Sequence, residues 1–228
     1  MELDETSNDS TISYLSDCDN ESCFLYCTDF IEPPKFEELQ PKINNIISSV
    51  NLGCALNLKN ISQKFKNAEY NINKTSTIIL KSKNSKIIGT LFSDGKMICS
   101  GGKTAKEAKI ACNKFCKIVK KLGYKVELKD FKIQNIIISY DVQFKILLRE
   151  LYNKLSNLLN NNYVKYNNEM FPSVIIYSDE YKIYITIFES GKVILSGGKK
   201  RKDIEDVFRN IYPILIESKA TTEKEDKQ

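Results

Sequence analysis

Between positions 43 and 50 the chain reads INNIISSV, a run rich in β-branched residues that predicts an extended strand over 45–50. Leu58, Ile61 and Phe65 then recur at spacings of three and four, which places one apolar face on a short helix. Alternation returns further on. A strand over 75–80 sets Ile78 and Leu80 on one side and Thr75, Thr77 and Ile79 on the other; a second, over 86–92, adds Leu91 to the first set and Thr90 and Phe92 to the second. The turn SDGK leads into a strand over 97–100. Ala108, Ala111, Cys112, Phe115, Val119 and Leu122 keep one face of a long helix apolar, and Gly123 is placed to end it.

The chain then writes this order of elements again. IQNIIISY at 133–140 matches INNIISSV at an offset of 90, with five of eight positions identical. Phe144, Leu148, Leu151 and Leu155 form the second copy of the short helical stripe, and Ile204, Val207, Phe208, Ile211 and Leu215 the second long one. LFSDGKMICSGGK at 91–103 and IFESGKVILSGGK at 187–199 lie 96 positions apart and share eight of thirteen residues. EYNINKTST at 69–77 faces KYNNEMFPS at 165–173 at the same 96. Six extra residues therefore enter the second copy, most simply in LSNLLNNNY at 155–163.

Two helices per copy can cover only one face of an antiparallel sheet. The expected fold is α+β: two tandem repeats about a pseudo-two-fold, forming a long curved antiparallel sheet, a saddle, with helices on its convex face. A period of about 90 residues is too long for a solenoid. The chain divides into a head (1–40), a first repeat (41–130), a second repeat (131–219) and a polar tail (220–228).

Charge sharpens this division. Residues 1–40 carry eleven acids and one base, a balance of −10, whereas the remaining 188 residues carry 33 bases and 18 acids, a balance of +15. An acidic, Ser/Asn-rich head is expected to be disordered, and the basic body suits either a polyanion partner or plain solubility. The opening MELDETSNDS lacks the basic-then-apolar pattern of a secretory signal, and no apolar run approaches the ~18 residues of a membrane span. Seven cysteines without a framework spacing read as reduced thiols in a cytosolic or nuclear protein.

Enzymatic readings fare poorly. The absence of histidine removes Ser-His and Cys-His catalysis. SGGKT at 100–104 hints at a phosphate loop, but that motif needs glycine where Met97 stands, and the second copy ends in SGGKK. Cys18, Cys23 and Cys27 have no fourth ligand at a zinc spacing, and Cys112 and Cys116 read as packing residues. Neither a metal nor a cofactor is expected.

Alternation leaves one sheet face uncovered. It carries Asn45, Ile47, Thr75, Thr77, Ile79, Thr90 and Phe92 in the first copy, and Asn135, Ile137, Phe171, Ser173, Ile175, Thr186, Phe188, Ile194 and Ser196 in the second. Such a face, small and β-branched with few acids, is either a hidden interface, as in self-association without ligand, or a docking surface. Its surround of Lys81, Lys83, Lys86, Lys96 and Lys192 points to nucleic acid.

At these residues the chain resembles the TATA-binding protein family of general transcription factors. The similarity is carried in order by NIISSVNLGCALNLKNI, NAEYN, FSDGKMICSGGK, KIVKKLGY, DFKIQNI, FESGKVILSGGK and NIYPIL, and covers residues 41–219. It implies a concave sheet that binds and bends A/T-rich promoter DNA through the minor groove and nucleates initiation-complex assembly in the nucleus. Asn45 and Asn135 resemble the family's central base-contacting asparagines. Ser100 and Ser196 stand where the family usually has threonine, and Ile47, Ile98, Ile137 and Ile194 where it has valine or similar. The family's wedging phenylalanines match Phe92, Phe171 and Phe188, but the fourth position is Thr75, and Thr90 and Thr186 replace accompanying leucines. The loop YNNEMFP resembles the stirrup that contacts transcription factor IIB, through Asn167, Glu169 and Met170, with Asn167 where a glutamate is usual. Factors like IIA and the TATA-binding-protein-associated factors are further implied partners. The alternative is an interaction scaffold of the same fold with weak or altered DNA binding.

Overall fold

The computed structural model describes residues 32–65, 68–70, 76–81, 86–159, 163–169 and 171–220. One compact unit spans Pro34–Ala220. Its first half contains β1 (Lys42–Asn51), α1 (Leu58–Lys64), β2 (Ala68–Tyr70), β3 (Thr77–Lys81), β4 (Ile88–Phe92), β5 (Lys96–Gly102) and α2 (Ala105–Lys121). The second half repeats the order with β6 (Lys129–Asp141), α3 (Leu148–Leu158), β7 (Val164–Asn167), β8 (Ser173–Ser178), β9 (Ile183–Phe188), β10 (Lys192–Ser196) and α4 (Arg201–Glu217). All ten strands join one open antiparallel sheet in the order β2-β3-β4-β5-β1-β6-β10-β9-β8-β7. The expected α+β, two-repeat architecture is the one observed.

Strand register locates the two-fold. Ile46 and Ile136, equivalent residues at offset 90, are Cα partners across the β1–β6 ladder. On either side, Asn45 faces Ile137 and Ile47 faces Asn135, the same pair read in reverse. The axis therefore passes between Ile46 and Ile136. Two further bonds obey it: the Gln134 amide donates to Ser49 Oγ at 2.6 Å, and the Ser139 hydroxyl donates to Asn44 Oδ1 at 3.3 Å. Farther out the offset is 96, since Thr77 faces Phe92 as Ser173 faces Phe188. The change falls between the short helix and the edge strand of each half. There α3 has 11 residues where α1 has 7, so part of the insertion lengthens a helix.

Among the described residues, one sheet face is packed against helices and the other is not. In the first half Ile78, Leu80, Leu91, Met97 and Cys99 are buried with Leu58 and Ile61 of α1 and Ala111, Cys112, Phe115 and Val119 of α2. In the second half Val174, Ile176, Ile185, Ile187 and Leu195 are buried with Leu151 and Leu155 of α3 and Ile204, Val207 and Phe208 of α4. Removing side chains of this size from water is worth about 1.5–3 kcal/mol each, which fixes the sheet's inside and outside. Cys112 and Cys116 lie in this core, as packing residues should. Gly123 follows the C-cap Leu122 of α2 with φ +97°, donating to the Lys120 carbonyl at 3.1 Å.

Several expectations change. The edge strands β2 and β7 were not foreseen, because three or four residues give too little alternation to detect. Phe144 is buried but precedes α3. Ser173, assigned to the open face, is 4% exposed. The end of the acidic head is ordered: Phe36–Glu38 form a 3-10 turn, Leu39 is buried, and the Phe36 ring lies 5.7 Å from that of Phe208. Apolar residues in this segment outweigh its acids, and Arg209, stacked 4.1 Å over Phe36, also bridges Glu37 at 3.2 Å. Thr104 of SGGKT is a helix cap, its Oγ1 accepting from Glu107 N at 3.0 Å, which disposes of the phosphate-loop reading. Cys18, Cys23, Cys27 and the rest of the head to residue 31 lie outside the described residues. No group of three metal-ligating side chains occurs among the described residues, and no helix there is long and apolar enough to cross a membrane.

Candidate nucleic-acid interface

The floor of the open face is made by β5, β1, β6 and β10. Asn45, Ile47, Ile98, Ser100, Asn135, Ile137, Ile194 and Ser196 are each partly exposed there, with a buried neighbour on at least one side in the strand. These eight lie together about the two-fold. Thr77, Ile79 and Phe92 extend the face across β3 and β4, and Phe188 across β9. A surface of branched apolar side chains suits a shallow, flat partner rather than a small molecule in a pocket.

Two amides stand out on this floor. Gly101 N–H donates to Asn45 Oδ1 at 2.7 Å, and Gly197 N–H donates to Asn135 Oδ1 at 2.7 Å. Both bonds exist because each glycine has φ +107°. A Cβ at Gly101 would come within 2.6 Å of the Lys86 carbonyl oxygen, and one at Gly197 within 2.4 Å of that of Lys182. The next glycines serve packing, since a Cβ on Gly198 would meet Ile204 Cγ1 of α4 at 2.4 Å. The repeated Ser-Gly-Gly thus joins an amide clamp to a close helix approach. With its oxygen committed, each asparagine keeps two amide hydrogens for an acceptor beyond the sheet.

The periphery is less uniform. Lys86, Lys96 and Lys192 are exposed, and Lys96 Nζ lies 5.9 Å from the Phe92 ring centroid. Lys81 is ion-paired with Glu69, an acid that shares the open side with Ile79. Glu69 is one acid on a face expected to carry few, and alternation through the unforeseen β2 would have exposed it. Phe171 is 71% exposed in the connection between β7 and β8. Asn167, the last residue of β7, and Glu169, in the loop that follows, are exposed, and Glu169 N–H donates to Asn167 Oδ1 at 3.2 Å. Thr75, Lys83 and Met170 lie outside the described residues. Extending alternation two residues back from Thr186 would also have found Tyr184, 52% exposed on the same side.

A duplicated unit fused into one ten-stranded sheet, helices on one face and a polar-studded apolar floor on the other, defines an intramolecularly symmetric platform protein. The family model for transcription factor TFIID, or TATA-binding protein, matches residues 40–122 and 130–218. The chain is 42% identical over 181 residues to a TATA-box-binding protein of Acanthamoeba castellanii, covering 79% of this chain and 68% of that one. It is 40% identical to a TATA-box-binding protein of Xenopus tropicalis over 80% of this chain and 60% of that one. Its fold is similar to the Methanococcus jannaschii TBP structure, with TM-score 0.65 and 27% identity over 78% of this chain and 99% of that chain. The chain belongs to the TATA-binding protein family, a family of non-enzymatic DNA-binding transcription factors. It spans 60% to 68% of the length of these two curated relatives.

Proposed function

We propose that this chain binds A/T-rich promoter DNA in the minor groove through the open face of its sheet. On that platform it nucleates initiation-complex assembly in the nucleus, with transcription factor IIB, IIA-like factors and associated factors as partners. The observation that carries the reading is the matched pair Asn45 and Asn135, each held by a glycine N–H and each left with free amide donors. The minor groove offers adenine N3 and thymine O2 acceptors at every A·T pair, whereas G·C adds a guanine amino donor that a branched apolar floor cannot satisfy. Ile47, Ile98, Ile137 and Ile194 supply that floor, and Ser100 and Ser196 flank it with hydroxyls. Phe92, Phe171 and Phe188 act as wedges at the outer base steps, while Lys86, Lys96 and Lys192 meet phosphates.

A second reading, a scaffold with weak DNA binding, is favoured by the Glu69–Lys81 pair, which places a carboxylate on the DNA side. A duplex-binding titration over a range of salt concentrations separates the two. Specific affinity for an A/T-rich duplex that falls steeply with salt supports the first reading. Absence of specific binding at every salt concentration supports the scaffold.

A further inference from the structure

The two halves of the open face are built on one plan but flanked differently. In the first half Ser100 faces Ile88, which faces Lys81. The equivalent row in the second half is Ser196, Tyr184 and Tyr177. Tyr163, just before β7, completes it. The rings of Tyr177 and Tyr184 lie 4.6 Å apart and those of Tyr163 and Tyr177 6.4 Å apart. Tyr177 and Tyr184 alternate along β8 and β9 with the buried Ile176, Ile183 and Ile185, which sets them on the open side, and Tyr163 joins the row through its ring contact with Tyr177. Tyr184 nonetheless exposes 52% of its surface, more than a ring committed to packing would.

Charge identifies the occupant. At the Glu69 position the second half has Lys165, opposite Ile175 as Glu69 is opposite Ile79. The described open-side positions of β7–β10 thus include Lys165 and Lys192 and no carboxylate. Lys182, beside Tyr177 and Tyr163, is held by Asp179 at 2.5 Å. The row is also continuous with Ser196 on the floor. An uncharged aromatic strip leading off a groove-binding floor, with Lys165 and Lys192 as the charges on its own face and the acids Asp179 and Glu180 confined to the turn beyond Ser178, matches the sugar–phosphate edge of a duplex. A phenol O–H can donate to a phosphate oxygen, and the ring can cover a deoxyribose.

We propose that Tyr163, Tyr177 and Tyr184 form an uncharged contact strip for the DNA backbone, gripping the duplex at the second-half end without displacing counterions. This rests on the DNA-binding reading above. Lysine contacts release counterions and steepen the salt dependence of binding, whereas phenol contacts add affinity without slope.

The test uses the full chain and its Tyr177→Ala/Tyr184→Ala variant on one A/T-rich duplex, with affinity measured across salt concentrations and a hydroxyl-radical footprint. The expected result is an affinity loss of about tenfold at every salt concentration with unchanged slope, and loss of sugar protection at one end of the site only. Tyr184→Ile copies Ile88, a residue the same fold already accommodates, and should reproduce part of the loss in a folded protein. Unchanged affinity and footprint in both variants, or a loss that appears only as a changed slope, overturns the strip alone. Absence of specific binding by the wild-type chain overturns the DNA reading and the strip with it.

Discussion

Asn135 Oδ1 accepts the Gly197 N–H at 2.7 Å, and because the glycine nitrogen can only donate, the amide orientation is fixed. On the proposed reading the –NH2 end is the one that meets the groove. Asn135→Asp keeps an oxygen for Gly197 but replaces the donor with a carboxylate oxygen facing groove acceptors. Its affinity for an A/T-rich duplex, read by fluorescence anisotropy, should fall at least tenfold, about 1.5–3 kcal/mol, with thermal stability retained. Asn135→Ala should lower both, since it also orphans the Gly197 N–H. Equal affinity of Asn135→Asp and wild type would remove Asn135 from base contact.

Gly101 and Gly197 carry the same conformation for the same reason, so the same lesion should appear twice. Gly101→Ala and Gly197→Ala force a Cβ against a carbonyl oxygen at 2.6 and 2.4 Å, at positive φ. Each should destabilise the fold by about 1–3 kcal/mol in urea unfolding. The two losses should be similar; a neutral substitution at either site would deny the clamp its structural role.

The proposed outer wedges are unequal in sequence. In the second half the wedge candidates are Phe171, which is exposed, and Phe188; in the first they are Phe92 and, by sequence alone, Thr75, whose short polar side chain cannot replace base stacking worth a few kcal/mol per step. Thr75→Phe should tighten binding and increase the bend measured by end-to-end energy transfer. Phe188→Ala should weaken binding more than Phe92→Ala. If Thr75→Phe alters neither affinity nor bend, another residue supplies that wedge.

The loop before Phe171 provides a separable partner test. Glu169 is exposed two residues before Phe171. Glu169→Arg reverses one charge there and should impair recruitment of transcription factor IIB to the DNA-bound protein while leaving the binary complex intact. A normal ternary complex in a mobility-shift assay would exclude Glu169 from that contact.

Much of this architecture was readable because duplication doubles every weak signal. Alternation at Ile78, Leu80 and Leu91 separated the covered from the open side, and the switch of offset from 90 to 96 located the insertion that α3 absorbs in part. The repeated SGG could be noticed but not explained from sequence: the Asn45–Gly101 and Asn135–Gly197 bonds join residues 56 and 62 positions apart, and only the fold brings them together. Glu69 and Tyr184 were missed for different reasons. The first lies on a three-residue strand too short to read, and the second on a recognised strand whose alternation was followed only from Thr186. The order in residues 36–39 was hidden by the acidic composition around it, which masks the two apolar residues, Phe36 and Leu39, that dock on the second half.

The central claim is that the floor reads the minor groove, and a base analogue tests this most directly. Inosine·cytosine pairs present the major-groove edge of G·C but lack the guanine N2 amino group, so their minor groove matches that of A·T. Affinity should be measured for three duplexes of equal length whose core is A·T, I·C or G·C. The account predicts that the I·C duplex binds within about threefold of the A·T duplex, while each G·C pair costs about 1–3 kcal/mol. An I·C duplex that binds as poorly as the G·C duplex would contradict minor-groove recognition by this face.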